Sequence, residues 1–189
     1  MDLQRIGIKI FAADPAPVSV REFIPIFHTW IQKQAVKNHL LIDVHNYSHI
    51  HNGPGILLVA QEGNFSIDMA DGRMGLLYYR KKPGDGITSI LKTVLQACSL
   101  LEADPALAGR LRFRTDEIAV LANDRLQAPN NDETLSEIKP AVSSALRNVL
   151  PSGNIAISLS STNPRERFAV RVQTGQSESV GALLSRITT

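Results

Sequence analysis

The stretch Ile56-Leu57-Leu58-Val59-Ala60-Gln61-Glu62-Gly63-Asn64-Phe65-Ser66-Ile67-Asp68-Met69, continued by Ala70-Asp71-Gly72-Arg73-Met74-Gly75-Leu76-Leu77-Tyr78-Tyr79, contains three apolar runs separated by turn sequences. Ile56 to Ala60, Phe65 to Met69 and Met74 to Tyr79 have the length and composition of strands. Glu62-Gly63-Asn64 and Asp71-Gly72 tolerate positive φ, which favours tight antiparallel hairpins. The stretch therefore predicts a meander.

Working outward, Ile6, Ile8 and Ile10 alternate with Arg5, Gly7, Lys9 and Phe11, the period of a strand, which stops at Ala13-Asp14-Pro15. Val20, Phe23, Ile24, Phe27, Trp30 and Ile31 recur at helical spacing and predict a helix ending near Lys37-Asn38. Its start, Ser19-Val20-Arg21-Glu22, has the form of a capping box, in which the Ser oxygen and the Glu carboxylate each accept a backbone amide of the other's turn. Leu40 to Val44 predicts a strand. A second amphipathic helix runs from Ile87 to Ala103 and ends at Asp104-Pro105. Beyond it, Ile118 to Leu121, Ile155 to Leu159 and Phe168 to Val172 predict strands, and Leu135 to Leu150 and Val180 to Ile187 predict helices.

The order strand, helix, strand, strand thus recurs. Thr134-Leu135-Ser136-Glu137 has the form of a second capping box, at an offset that also sets Pro140 against Pro25, Ile157 against Ile42 and Leu159 against Val44. A slightly different offset sets Gln173 and Gly175 against Gln61 and Gly63. A proline this early in a helix kinks or tightens its first turn, and it occurs in both helices. The expected fold is α+β, with two similar β-α-β-β halves joined by a helix and a mixed or antiparallel sheet carrying helices on one face. The first half is residues 1–84 with its hairpin extension, the connecting helix 85–110 and the second half 111–189, together one compact unit. The paired modules of the vicinal oxygen chelate superfamily have a similar element order, but the predicted first strands here lack His.

Composition bounds the function classes. With 189 residues, 43% hydrophobic and 20% charged, the chain can bury a core. No apolar run approaches the roughly 20 residues that cross a bilayer. The N-terminal segment alternates apolar and charged residues, unlike a secretory signal, so the expected setting is cytoplasmic. A net charge of +2 is too small to imply nucleic acid. The single cysteine, Cys98, lies on the apolar stripe of the second helix with Ile87, Ile90, Leu91, Val94 and Leu101, which predicts a buried, inert thiol.

Three features bear on chemistry. His45, His49 and His51, with Asp43 just before them, share parity on an extended segment, so they are the candidate ligands of a divalent metal. No organic cofactor is implied. Gly53-Pro54-Gly55 permits close backbone approach to a ligand and suits a rigid turn equally. Arg165, Arg167 and Arg171 share a face, as do Arg110, Arg112 and Arg114. Without aromatic platforms these rows read as solvated sheet faces, as does Arg80-Lys81-Lys82, and nucleic-acid binding is not expected.

The first helix is apolar over a wide arc, because Ile26 and Trp30 add to its stripe. Either the rest of the chain covers this arc or a second copy does, so a homodimer through this helix is an expectation. Leu101 to Phe113, Asn123 to Asn130 and Gly53 to Val59 resemble bacterial proteins of similar length, a resemblance that implies a bacterial cytosolic setting and brings no activity with it. With no catalytic constellation, the expected function is a noncatalytic small-ligand or protein-binding or assembly protein. A metal-dependent enzyme centred on the loop 45–51 is the alternative. The two loops expected to differ most between the halves, the His-rich one and Asp124 to Asn131, are the expected locations of function.

Overall fold

A computed structural model describes residues 5–13, 16–81, 86–147, 149–150 and 155–188, the side chains of Asp71 and Thr188 excepted. The meander forms as β3 (Gly55–Ala60), β4 (Gly63–Asp68) and β5 (Gly75–Arg80). Its turns differ from the expected ones. Gln61-Glu62 joins β3 to β4, and Gly63 already belongs to the strand, where a side chain would meet Tyr79 O and the Tyr78 hydroxyl at 2.6 and 2.7 Å. The Asp71-Gly72 turn is one 3-10 turn, Ala70–Gly72, with Gly72 at φ +65.

To these strands are added β1 (Ile6–Ala12), β2 (Leu41–Tyr47), β6 (Phe113–Ala122), β7 (Ala156–Leu159) and β8 (Ala169–Gln173). All eight form one open sheet in the order β2-β3-β4-β5-β1-β6-β8-β7, and every pairing is antiparallel. The fold is α+β. β6 is ten residues long, well beyond the predicted four-residue core. The stop at Asp14-Pro15, residues 1–4 of the first strand's segment and Lys82 of the basic run lie outside the described residues.

Helices α1 (Phe23–Lys33), α2 (Gly86–Glu102), α3 (Asp132–Arg147) and α4 (Val180–Thr188) cover one face of the sheet. The strands turn Ile8, Ile10, Leu58, Phe65, Ile67, Leu76, Ile118, Val120, Val170 and Val172 toward them, and one continuous core results. Alternation in the sequence fixes which face this is, since each strand has period 2.

Ser19 caps its helix as expected: Glu22 Oε1 accepts the Ser19 amide at 2.7 Å and Ser19 Oγ accepts that of Arg21 at 3.4 Å. The first turn, Val20–Glu22, is tightened to 3-10 geometry ahead of Pro25. The helix ends at Lys33, four residues short of Lys37, because Gln34 takes a left-handed conformation with φ 46 and its side-chain amide brackets Leu41, bonding both Leu41 N and Leu41 O at 3.0 Å. The second capping box does not form. Asn131 is the cap of α3, accepting the amide of Thr134 at 2.9 Å, and Thr134 is buried within the first turn.

The wide apolar arc of α1 is covered by its own chain: Phe23, Ile26, Phe27 and Trp30 are all buried, with Phe27 and Trp30 rings 5.3 Å apart. Ile24 and Ile31 of the same stripe pack against this core while partly exposed. Among the described residues, no helix is long and apolar enough to cross a membrane.

Cys98 is fully buried in α2, and burial pushes its thiol well above the ordinary range. A thiolate-selective disulfide reagent is therefore expected to leave the native protein unmodified and to react with one equivalent only on unfolding, measured as released chromophore along a denaturant titration.

Candidate functional site

The face of the sheet opposite the helices is uncovered, and its centre is a cleft of about 520 Å³. The cross-strand register explains its floor. Lys9 stands opposite Leu77 on one side and Ala119 on the other, and Ala119 stands opposite Arg171. In the next row Gly7 lies between Tyr79 and Leu121, which faces Ala169. Phe11, beside the irregular pairing between Ile10 and Ala12, closes one end. Phe11, Leu77, Ala119 and Leu121 form a small apolar cluster of their own, with Ala169 against it. Gly7 and the two alanines keep the centre low, so taller neighbours enclose it.

The floor contains one lysine. Lys9 is 3% exposed, and its ammonium donates to Asp68 Oδ2 at 2.6 Å, Arg73 O at 2.8 Å and Ala70 O at 3.3 Å. Three acceptors match three ammonium protons. Its stem crosses Gly75, where any Cβ would sit 2.7 Å from Lys9 Cε. This lysine is held as structure.

At the Phe11 end, Glu117 is buried and gathers arginines. Arg73 binds it through two bonds of 2.7 and 3.0 Å, Arg171 Nε approaches to 3.1 Å and Arg114 to 3.9 Å. The Arg73 guanidinium also lies 4.0 Å from the Phe11 ring centroid, a cation–π contact. The Arg73 hydrogen bonds hold the Glu117 carboxyl below its ordinary value, against the opposing effect of burial. Arg114 does the same for Asp116.

The walls are loops. Asn52, Gly53 and Pro54 form one, with Gly53 O near the Met69 amide at 3.4 Å. The other consists of Ser160, Ser161 and Arg165 to Arg167, with Asn123 and Arg125 at its foot. Buried Asn130 anchors this wall by donating its side-chain amide to Ser161 O and Asn163 O, both at 2.9 Å. The ion pairs among the described residues leave out Arg125, Arg165 and Arg167. The Tyr79 phenol, whose hydroxyl donates to Arg5 O at 2.8 Å, is raised chiefly by burial, with Asn123 and the Arg167 charge acting the other way.

The predicted site residues are distributed differently. His45 is on β2, 3.4 Å from Asp43, and His49 and His51 lie in the exposed turn beyond it. The rings form a spaced file, His45 to Tyr47 at 6.1 Å and Tyr47 to His49 at 6.5 Å. Among the described residues, no three His, Cys, Asp or Glu side chains are grouped to hold a metal ion. The part of the His-rich loop that reaches the cleft is Asn52-Gly53-Pro54. Gly55 is needed for packing, since its φ is +61 and a Cβ would collide with Ile67 O.

Arg165, Arg167 and Arg171 do converge, on the cleft, although only Arg171 is on a strand. Arg110 turns instead to Glu22 at 2.6 Å. Lys9, Arg73 and Glu117 carried no site signal beyond single charges beside apolar residues, and Asp68, which with Glu62 and Asp71 reads from its hairpin position as a carboxylate facing water, is buried instead.

No family model, curated protein or solved structure matches the chain.

Two outcomes follow from the buried charges. Lys9→Met leaves the buried Asp68 carboxyl without its ammonium partner, a loss of about 3–5 kcal/mol in chemical denaturation, whereas Lys9→Met with Asp68→Leu recovers most of it. The Glu117 carboxyl is depressed in the folded state, so its stabilisation is complete above the unfolded carboxylate pKa and disappears as pH falls through the folded one. Arg73→Met is expected to cost on the order of 1 kcal/mol at neutral pH, its guanidinium being partly exposed, and to flatten the acid limb of a stability-versus-pH curve.

Proposed function

We propose that this chain is a noncatalytic binding protein whose ligand is a small organic anion seated on the open face of the sheet. The observation that carries the reading is the combination of an apolar floor, Phe11, Leu77, Leu121 and Ala169, with Arg125, Arg165 and Arg167 standing outside the ion pairs among the described residues. A concave apolar site with a few convergent polar groups is the usual form of a small-molecule site. Guanidinium forks suit carboxylate, sulfonate or phosphate oxygens. The one lysine lining the cleft is committed to Asp68 and two carbonyls, which leaves the arginines as the groups able to meet an anion.

We also read the two halves as related by an approximate two-fold axis through the β1–β6 pair. β5 flanks β1 as β8 flanks β6, β4 lies outside β5 as β7 lies outside β8, and β3 and β2 extend the first half alone. This reading rests on strand order, not on the helix caps. The cleft then straddles the axis, and its walls come from the loops that differ between the halves. A bacterial cytosolic protein with one buried thiol is consistent with it. The metal-dependent alternative has in its favour only the approach of Asp43 to His45.

Anilinonaphthalene sulfonate, which joins an apolar ring system to an anion, is the probe. It is expected to bind with salt-sensitive affinity and to raise the melting temperature as its concentration rises. Arg165→Ser with Arg167→Ser is expected to weaken binding by roughly tenfold or more. Ala119→Trp, which fills the floor, is expected to abolish it. Equal binding by wild type and both variants would remove the cleft as the site.

A further inference from the structure

The apolar arc of α1 is buried, but a different surface is without a partner. Strand β2 is one edge of the sheet, bonded to β3 on one side alone. Such an edge presents a row of main-chain donors and acceptors ready to pair with another strand. Leu40 just before it and Ile42 near its start are 52% and 54% exposed, and Ile50 in the following turn is 47% exposed. The Val44 amide is held only by the carboxylate of the preceding residue, Asp43 Oδ1, at 2.7 Å. That bond is local, on the surface, and exchangeable for a main-chain one.

We propose that a second copy of this chain pairs antiparallel with β2, about a two-fold axis at Val44, and continues the sheet across the two molecules. The order of side chains selects both the occupant and the register. Asp43 and His45 flank Val44 and both are exposed, on the face away from the helices. With Val44 opposite its own copy, Asp43 falls opposite the partner's His45, and His45 opposite the partner's Asp43. One copy therefore supplies the complement of the other, twice, as a closed two-fold interface requires. A shift by one residue would turn each side chain to the other face and lose both pairings. The pairing about Val44 lies beyond the bulge between Leu41 and Asp43, in the regular part of the strand. It leaves the cleft uncovered, since β2 is four strands away from β1.

Sedimentation equilibrium of the full chain tests this directly. The expected result is a monomer–dimer equilibrium. Asp43→His sets imidazole against imidazole and His45→Asp sets carboxylate against carboxylate, and each is expected to raise the dissociation constant several-fold. The double exchange Asp43→His with His45→Asp restores the opposition and is expected to return the constant to near the wild-type value. Val44→Pro removes the central amide and is expected to leave only monomer, with circular dichroism checking that the fold is kept. If Val44→Pro unfolds the strand, the charge-exchange set decides alone. Monomer at every accessible concentration overturns the proposal, and so does a dimer whose constant is indifferent to both single exchanges.

Discussion

The rest of the structure depends on β1 being buried on both faces at the middle of the sheet. It is the first strand made, yet its neighbours are β5 and β6, from late in the meander and from beyond α2. Ile6, Ile8 and Ile10 enter the helix-covered core while Lys9 and Phe11 form the floor of the open face. A strand with two different environments needs two different neighbours for each residue, and the antiparallel registers with β5 and β6 supply them. The cleft is in this sense a by-product of central placement. The most enclosed part of an uncovered face is its middle, where the sheet's own side chains wall it in.

Such a placement makes buried charge unavoidable to manage. Lys9 and Glu117 both lie on the open face near Phe11, each less than a tenth exposed. Each is neutralised by an opposite charge brought from another strand or loop: Asp68 for Lys9, Arg73 and Arg171 for Glu117. Replacing such pairs with apolar residues often costs nothing, whereas breaking them is expensive, so their presence speaks for geometry more than for net stability. The geometry they secure is the position of Arg73 and Lys9 around the Phe11 ring, which sets one end of the floor.

Much of the fold was legible because it rests on local rules. Period-2 alternation found β1, capping chemistry found the start of the first helix at Ser19, and the meander declared itself through its apolar runs. What local rules could not supply is pairing. Nothing in Ile6 to Ala12 states that β6 lies beside it, and so nothing identified Ala119, Leu121 and Ala169 as one surface. Thr134 and Ser19 look alike in sequence, yet Asn131 captured the cap of α3 three residues upstream, a competition that a motif does not register. The arginines at 165, 167 and 171 were visible as a row, but their meaning came from the loop that Asn130 ties down across the sheet. The histidines attracted attention by type, while the residues of their loop that reach the cleft are Asn52, Gly53 and Pro54, which have no reactive chemistry.

The crossing of the Lys9 stem over Gly75 has an evolutionary corollary. A Cβ at 75 would lie 2.7 Å from Lys9 Cε and also 2.7 Å from the main-chain oxygen of Ile10. The lysine stem can shift or be replaced, but the Ile10 carbonyl belongs to the central strand and cannot. Glycine at 75 is therefore demanded by the backbone of β1 whatever residue occupies position 9, so the lysine can drift along a lineage while the glycine stays, and the dependence between the two positions runs in one direction only.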